Sequence, residues 1–143
     1  MIALIAVLGL AAQATPPPEP AWTWTLYGDA APVVLANEAP DTPNLRATLE
    51  CDPGSSIARV TLYGGESLAG MARVSAGEAS AVAQAEAGRA GGMKVAVRTD
   101  HPVFAAFSAG GRMTVVVGEH RRAVEVPSAH LAKLRRFAEL CSG

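Results

Sequence analysis

Apolar and polar residues alternate along most of this chain with a period of two. In WTWTLYG (residues 22–28), Trp22, Trp24 and Leu26 fall on one face and Thr23, Thr25 and Tyr27 on the other. β-Branched and aromatic residues in strict alternation predict a half-buried strand. PVVLANE (32–38) is a second candidate, followed by the two-proline loop APDTPN (39–44). In LRATLECD (45–52), Leu45, Ala47, Leu49 and Cys51 share a face, opposite Arg46, Thr48 and Glu50. Cys51 therefore points inward with the leucines. Asp52-Pro53-Gly54-Ser55-Ser56 reads as a turn, and IARVTLYG (57–64) as the returning strand of a hairpin, with Ala58, Val60 and Leu62 inward.

The middle of the chain is richer in small residues. LAGMARVS (68–75) fits a strand. EASAVAQAEAG (78–88) has helix-favouring residues, yet Ala79, Ala81, Ala83, Ala85 and Ala87 alternate, so a strand with a small-residue face is expected. MKVAVRT (93–99) continues the strands. In DHPVFAAFSAGG (100–111), Asp100 can cap a short helix, Pro102 suits its first turn and Gly110 its end. RMTVVVG (112–118) and RRAVEVP (121–127) flank Glu119-His120 as a second hairpin. The last segment, SAHLAKLRRFAELCSG (128–143), repeats Leu131, Leu134, Ala138 and Cys141 at helical spacing, bordered by Phe137 and Leu140, with Ser128 as the expected N-cap.

About eight or nine short strands, a short helix and a C-terminal helix predict a mainly β domain. The expected architecture is a small antiparallel β-sandwich or roll with the C-terminal helix packed on it. At 143 residues the chain suits a single domain, placed at residues 22–143.

The first stretch, MIALIAVLGLAAQA, changes the expected compartment. It is apolar from Ile2 to Ala12, too short to span a bilayer, and closes on Ala12-Gln13-Ala14, an A-x-A-like cleavage pattern. Residues 1–14 thus read as a signal peptide, though the n-region carries no Lys or Arg; the alternative is a buried N-terminal element. Residues 15–21 form a proline-rich linker, extended by its composition. No cysteine follows the apolar run and no second long apolar stretch occurs, so neither a lipoprotein anchor nor a transmembrane span after cleavage is expected. A periplasmic or secreted protein results. In an oxidising compartment the two cysteines, Cys51 and Cys141, both on inward faces, predict a single disulfide. Two buried thiols are the alternative if export fails.

Candidate chemistry is sparse. The chain has no GxSxG, HExxH, CxxC, P-loop or GxGxxG motif. His101, His120 and His130 lack metal-like spacing, and no metal or cofactor is called for. Asp100, His101 and Ser108 can be drawn as a hydrolase fragment, but turns in any chain offer such drawings. Trp22 and Trp24 read either as an aromatic platform for a glycan or peptide or, preferred here, as anchors of the core face, because the chain has few aromatics with which to build a core.

Charge is divided. Residues 1–87 hold three basic and nine acidic side chains, net −6; residues 88–143 hold nine basic and four acidic, net +5. Arg121, Arg122, Lys133, Arg135 and Arg136 crowd the last hairpin and helix. They form a possible patch for an anionic lipid or cell-wall polymer, unless the two halves interleave and cancel. Export and a near-neutral total argue against nucleic acid.

With its apolar leader, early tryptophan strand, "LRATLEC", the late "VFAAF…RMTVVV" segment and the closing "LRRFAELC", the chain resembles small bacterial periplasmic proteins. Similar layouts occur in the type VI secretion-associated VasI family and the invasion-associated locus B family. The resemblance implies a small β-rich fold with a disulfide between its N- and C-terminal parts. It implies no catalytic residues, and an envelope or secretion-associated partner only if membership holds. The expected function is thus a non-enzymatic exported accessory or binding domain, with a basic-patch module and a small hydrolase as alternatives.

Overall fold

The structure is a computed structural model that describes residues 21–143. The expected signal peptide, residues 1–14, and the linker as far as Pro20 lie outside the described residues.

Nine strands form one curled antiparallel sheet, with two helices packed on it. In chain order they are β1 (Thr23–Tyr27), β2 (Val33–Glu38), β3 (Leu45–Cys51), β4 (Ile57–Leu62), β5 (Gly70–Ala76), β6 (Ala79–Ala87) and β7 (Met93–Arg98). Then come α1 (Pro102–Gly110), β8 (Arg112–Val117), β9 (His120–Glu125), a single 3-10 turn (Ser128–His130) and α2 (Leu131–Cys141). The spatial order is β1-β2-β3-β4-β7-β6-β5-β8-β9. The expected hairpins are present: Leu49 pairs with Val60 across β3–β4, and Val115 with Arg122 across β8–β9. The sheet narrows at β6–β7, where Glu86 pairs with Lys94 and Ala87 with Met93.

The alternation sets the inner face. Val33, Leu35, Leu49, Cys51, Ala58, Val60, Val74, Met93, Met113 and Val115 are all buried. Both helices close one end of the curled sheet against this lining. Phe104 and Phe107 of α1 meet edge to face at 5.8 Å, and Phe137 of α2 lies 6.4 Å from Phe104. β6 is a strand, as its alternation predicts and its propensity does not. Its alanines Ala79, Ala81 and Ala83 pack against the core beside Ala106 of α1, and small side chains leave that helix room to lie on the sheet. On α2 the fully buried residues are Leu134, Phe137 and Cys141, so Phe137 sits at the centre of the buried stripe rather than on its border.

Two capping expectations are corrected. Asp100 does not cap α1: the His101 ring nitrogen Nδ1 accepts from the Val103 amide at 3.0 Å, while Asp100 pairs with Arg98. Ser128 does not cap α2. It begins the 3-10 turn, and α2 starts at Leu131 with no side-chain cap.

Cys51 and Cys141 form a disulfide, with Cα atoms 5.8 Å apart. Both are fully buried. Backbone bonds surround the bridge: Gly54 N–H donates to the Leu140 carbonyl at 3.3 Å and Ser56 N–H to the Cys141 carbonyl at 2.7 Å. The end of α2 is thus sewn to the β3–β4 turn.

At the opposite end the loops after β4 and β6 knot around Gly92. Its N–H donates to the Glu66 carbonyl, and its carbonyl accepts from Leu68 and Gly88. Gly92 has φ +76°, and a Cβ there would fall on the Leu62 carbonyl. Gly54 has a similar φ of +74° with nothing near a Cβ. Gly54→Ala is expected to cost about 1 kcal/mol, the left-handed penalty alone. Gly92→Ala is expected to cost about 2–3 kcal/mol, because a steric clash adds to the same penalty. Urea unfolding of both variants checks the difference; equal costs would contradict the knot.

Candidate functional site

Eight successive antiparallel pairings leave β1 and β9, the two edge strands, running in the same direction. They do not pair. Instead a side chain spans the seam: Trp24 Nε1 of β1 donates to the Glu125 carbonyl of β9 at 3.2 Å. Lys133 Nζ of α2 donates to the Trp24 carbonyl at 2.6 Å, so the free edge of β1 is capped at the helix end. Paired strands sit about 4.8 Å apart; a seam crossed by an indole is wider than that.

Beside this seam lies a cleft of about 720 Å³, within the usual range for ligand sites. Its lining includes Ala47, Leu62 and Val124, inward-facing residues that give it an apolar floor. Trp22, Tyr63, Asn37, Arg46, Arg122 and His130 also line it. A neighbouring hollow shares Trp22 and Tyr63.

Local backbone chemistry places the two arginines. Asn37 pairs with Ala47 and Glu38 with Leu45, so Arg46 is the extra residue of a β-bulge. A bulge re-aims a side chain, and here it lays the Arg46 guanidinium over the Trp22 ring at 4.1 Å from the centroid. Arg122 reaches its position by alternation, sharing the inner face with Val124 and Val126. Its guanidinium donates to the Tyr63 and Gly64 carbonyls at 2.9 and 3.0 Å. Both partners are neutral. Among the described residues neither Arg46 nor Arg122 has a carboxylate within ion-pair distance. The Glu125 carboxylate is held by Arg112 at 2.5 Å. The cleft is therefore a cationic, aromatic-walled site over an apolar floor.

Trp22 and Trp24 differ in burial. Trp24 is buried as a core anchor, while Trp22 stays partly exposed on the cleft wall. The five basic residues of the last hairpin and helix have different partners. Arg122 enters the cleft, Lys133 holds the Trp24 carbonyl and contacts His130 Nδ1, and Arg136 pairs with Glu139. Arg121 and Arg135 are exposed on different elements, β9 and α2. Nothing in the sequence pattern marks Arg46 or Tyr63 as cleft residues. A bulge leaves no mark in an alternation pattern, whereas the RRAVEVP alternation does place Arg122 with Val124.

Asp100, His101 and Ser108 do not form a relay. Asp100 accepts from Arg98 at 2.7 and 2.8 Å, His101 Nδ1 is the α1 cap, and Ser108 Oγ is buried without a hydrogen-bond partner. His120 lies 3.4 Å from Glu66 on the surface. Among the described residues no group of three or more His, Cys, Asp or Glu could hold a metal ion, and no helix is long and apolar enough to cross a membrane.

The hydrogen bond from Arg98, helped by its charge, holds the Asp100 carboxyl below the usual carboxylate value. A depressed folded pKa stabilises the fold above the unfolded pKa, and that stabilisation is lost as pH falls through the folded value. The pair is exposed and its effect small. Asp100→Asn is therefore expected to lower stability slightly at neutral pH, the gap to wild type closing in the acid range below about pH 4. Paired denaturation curves at both pH values check this; a gap that widens on acidification would contradict it.

No known protein family matches the chain, and neither does any curated protein or solved structure.

Proposed function

We propose that this chain is an exported, non-enzymatic binding or accessory domain of the bacterial cell envelope, and that the seam cleft is its binding site. The observation that carries the reading is the cleft itself: two guanidinium groups without a carboxylate partner among the described residues, set with Trp22 and Tyr63 over an apolar floor. Fixed cations on aromatic walls bind ligands by charge and stacking. The Cys51–Cys141 disulfide supports an oxidising compartment. The apolar leader with its Ala12-Gln13-Ala14 pattern supports export to the periplasm or beyond. The resemblance to small secretion-associated periplasmic proteins suggests a protein partner rather than a metabolite.

Expression of the full chain in a Gram-negative host, followed by fractionation and intact mass under non-reducing conditions, tests the compartment. The expected product is periplasmic, begins at Thr15 and has both cysteines oxidised. A cytoplasmic product that keeps Met1 and two free thiols would overturn the reading.

A further inference from the structure

We infer that the seam between β1 and β9 takes a tenth strand: an extended peptide from a partner protein, with an apolar side chain followed two residues later by an acidic one. The inference rests on the binding role of the cleft and names its ligand class.

The topology supplies the first argument. A curled antiparallel sheet of nine strands cannot close on itself antiparallel, because its edge strands run the same way. One further strand, antiparallel to both, completes an even-numbered antiparallel sheet. The seam has backbone groups to offer it. The Val126 amide donates to the Gly111 carbonyl of the segment leading into β8. With a period of two, Val124 and Arg122 also face β8, and Arg121 and Ala123 turn their N–H and C=O groups to the seam. On β1 the Lys133 bond shows that Trp24 faces the seam with its carbonyl already held, which leaves the Trp24 N–H, beside the Arg121 and Ala123 groups of β9, for an added strand. Main-chain bonding to such edges is how strand addition gains affinity.

Side chains supply direction and charge. The peptide occupies the seam from Trp24 to Trp22, beyond the indole bridge. It runs antiparallel to β1, toward the arginines of the cleft. Its first inward residue lies over Ala47, Leu62 and Val124. Its next, two positions later, comes level with Arg46 and Arg122, whose charges have no carboxylate partner among the described residues.

The probe is the synthetic peptide acetyl-Thr-Val-Thr-Val-Thr-Glu-Thr-amide, added to the exported chain with its disulfide intact. The readout is residue-resolved amide hydrogen exchange, with affinity followed by titration. The Arg121 and Ala123 amides are expected to become protected. Replacing the glutamate by lysine, or reversing the sequence, is expected to weaken binding about tenfold. N-methylation of alternate peptide amides is expected to remove it. Arg46→Gln, which leaves the backbone bonding of the mouth in place, is expected to weaken binding about five- to tenfold.

Each contrary result overturns the inference. One is no protection of either amide at millimolar peptide. Another is equal binding of the glutamate and lysine peptides. A third is protection of both amides in the free chain, which means the seam is already filled by this chain or a second copy. Correct export without peptide binding would remove only the strand, and leave the exported binding domain standing.

Discussion

Reducing the Cys51–Cys141 bridge is expected to cost about 4–5 kcal/mol of stability, from the chain entropy released when a loop of this length is opened. The bridge closes a loop of 90 residues by sequence separation, joining the end of β3 to the end of α2. Small domains are stable by only about 5–15 kcal/mol, so the loss takes a large share of the total. Its structural consequence is specific. Gly54 and Ser56 of the β3–β4 turn donate to the Leu140 and Cys141 carbonyls, bonds that hold only while the end of α2 stays docked. Urea unfolding of the oxidised chain, the reduced chain and a Cys51→Ala/Cys141→Ala double variant measures the cost. Unchanged midpoints would show that the bridge is not what holds α2.

Phe137→Ala is expected to cost about 3–5 kcal/mol, the usual range for truncating a buried phenylalanine. Phe137 is fully buried and lies between the two helices, 6.4 Å from Phe104. Its loss removes the only aromatic of α2 and leaves a cavity where α1, α2 and the sheet meet. Leu140→Ala, on a partly buried residue of the same helix, should cost well under half as much, because the site can relax toward solvent. Chemical denaturation with the disulfide intact separates the two variants. Similar costs would mean that the buried face of α2 is centred elsewhere.

These two effects were unequally visible in the sequence. The bridge was legible, because Cys51 ends an inward strand face and Cys141 an inward helical stripe, and each period is strong enough to fix orientation. Spacing alone puts Phe137 at the border of its stripe; packing against α1, whose position the sequence does not fix, makes it the centre. Strand identities followed from alternation, including β6, where an alternating alanine face outweighed helix propensity. Strand order did not. The pairing of β4 with β7 and of β5 with β8 joins segments far apart in the chain, and period alone cannot say which edges meet. The cleft depends on that order. In the sequence Arg122 reads as one of a run of solvated cations, although alternation sets it on the face of Val124. Arg46 was out of reach, since the bulge that turns it onto Trp22 arises from a register shift between β2 and β3.

The open seam underlies both the cleft and the strand it is inferred to take, and hydrogen exchange of the free, oxidised chain tests it most directly. The exposed edge of β9 predicts a two-residue rhythm: the Arg122 and Val124 amides, bonded to β8, exchange slowly, while the Arg121 and Ala123 amides, turned to the seam, exchange orders of magnitude faster. Uniform slow exchange along β9 would mean that the seam is already closed or filled in the free chain, and would contradict the open seam.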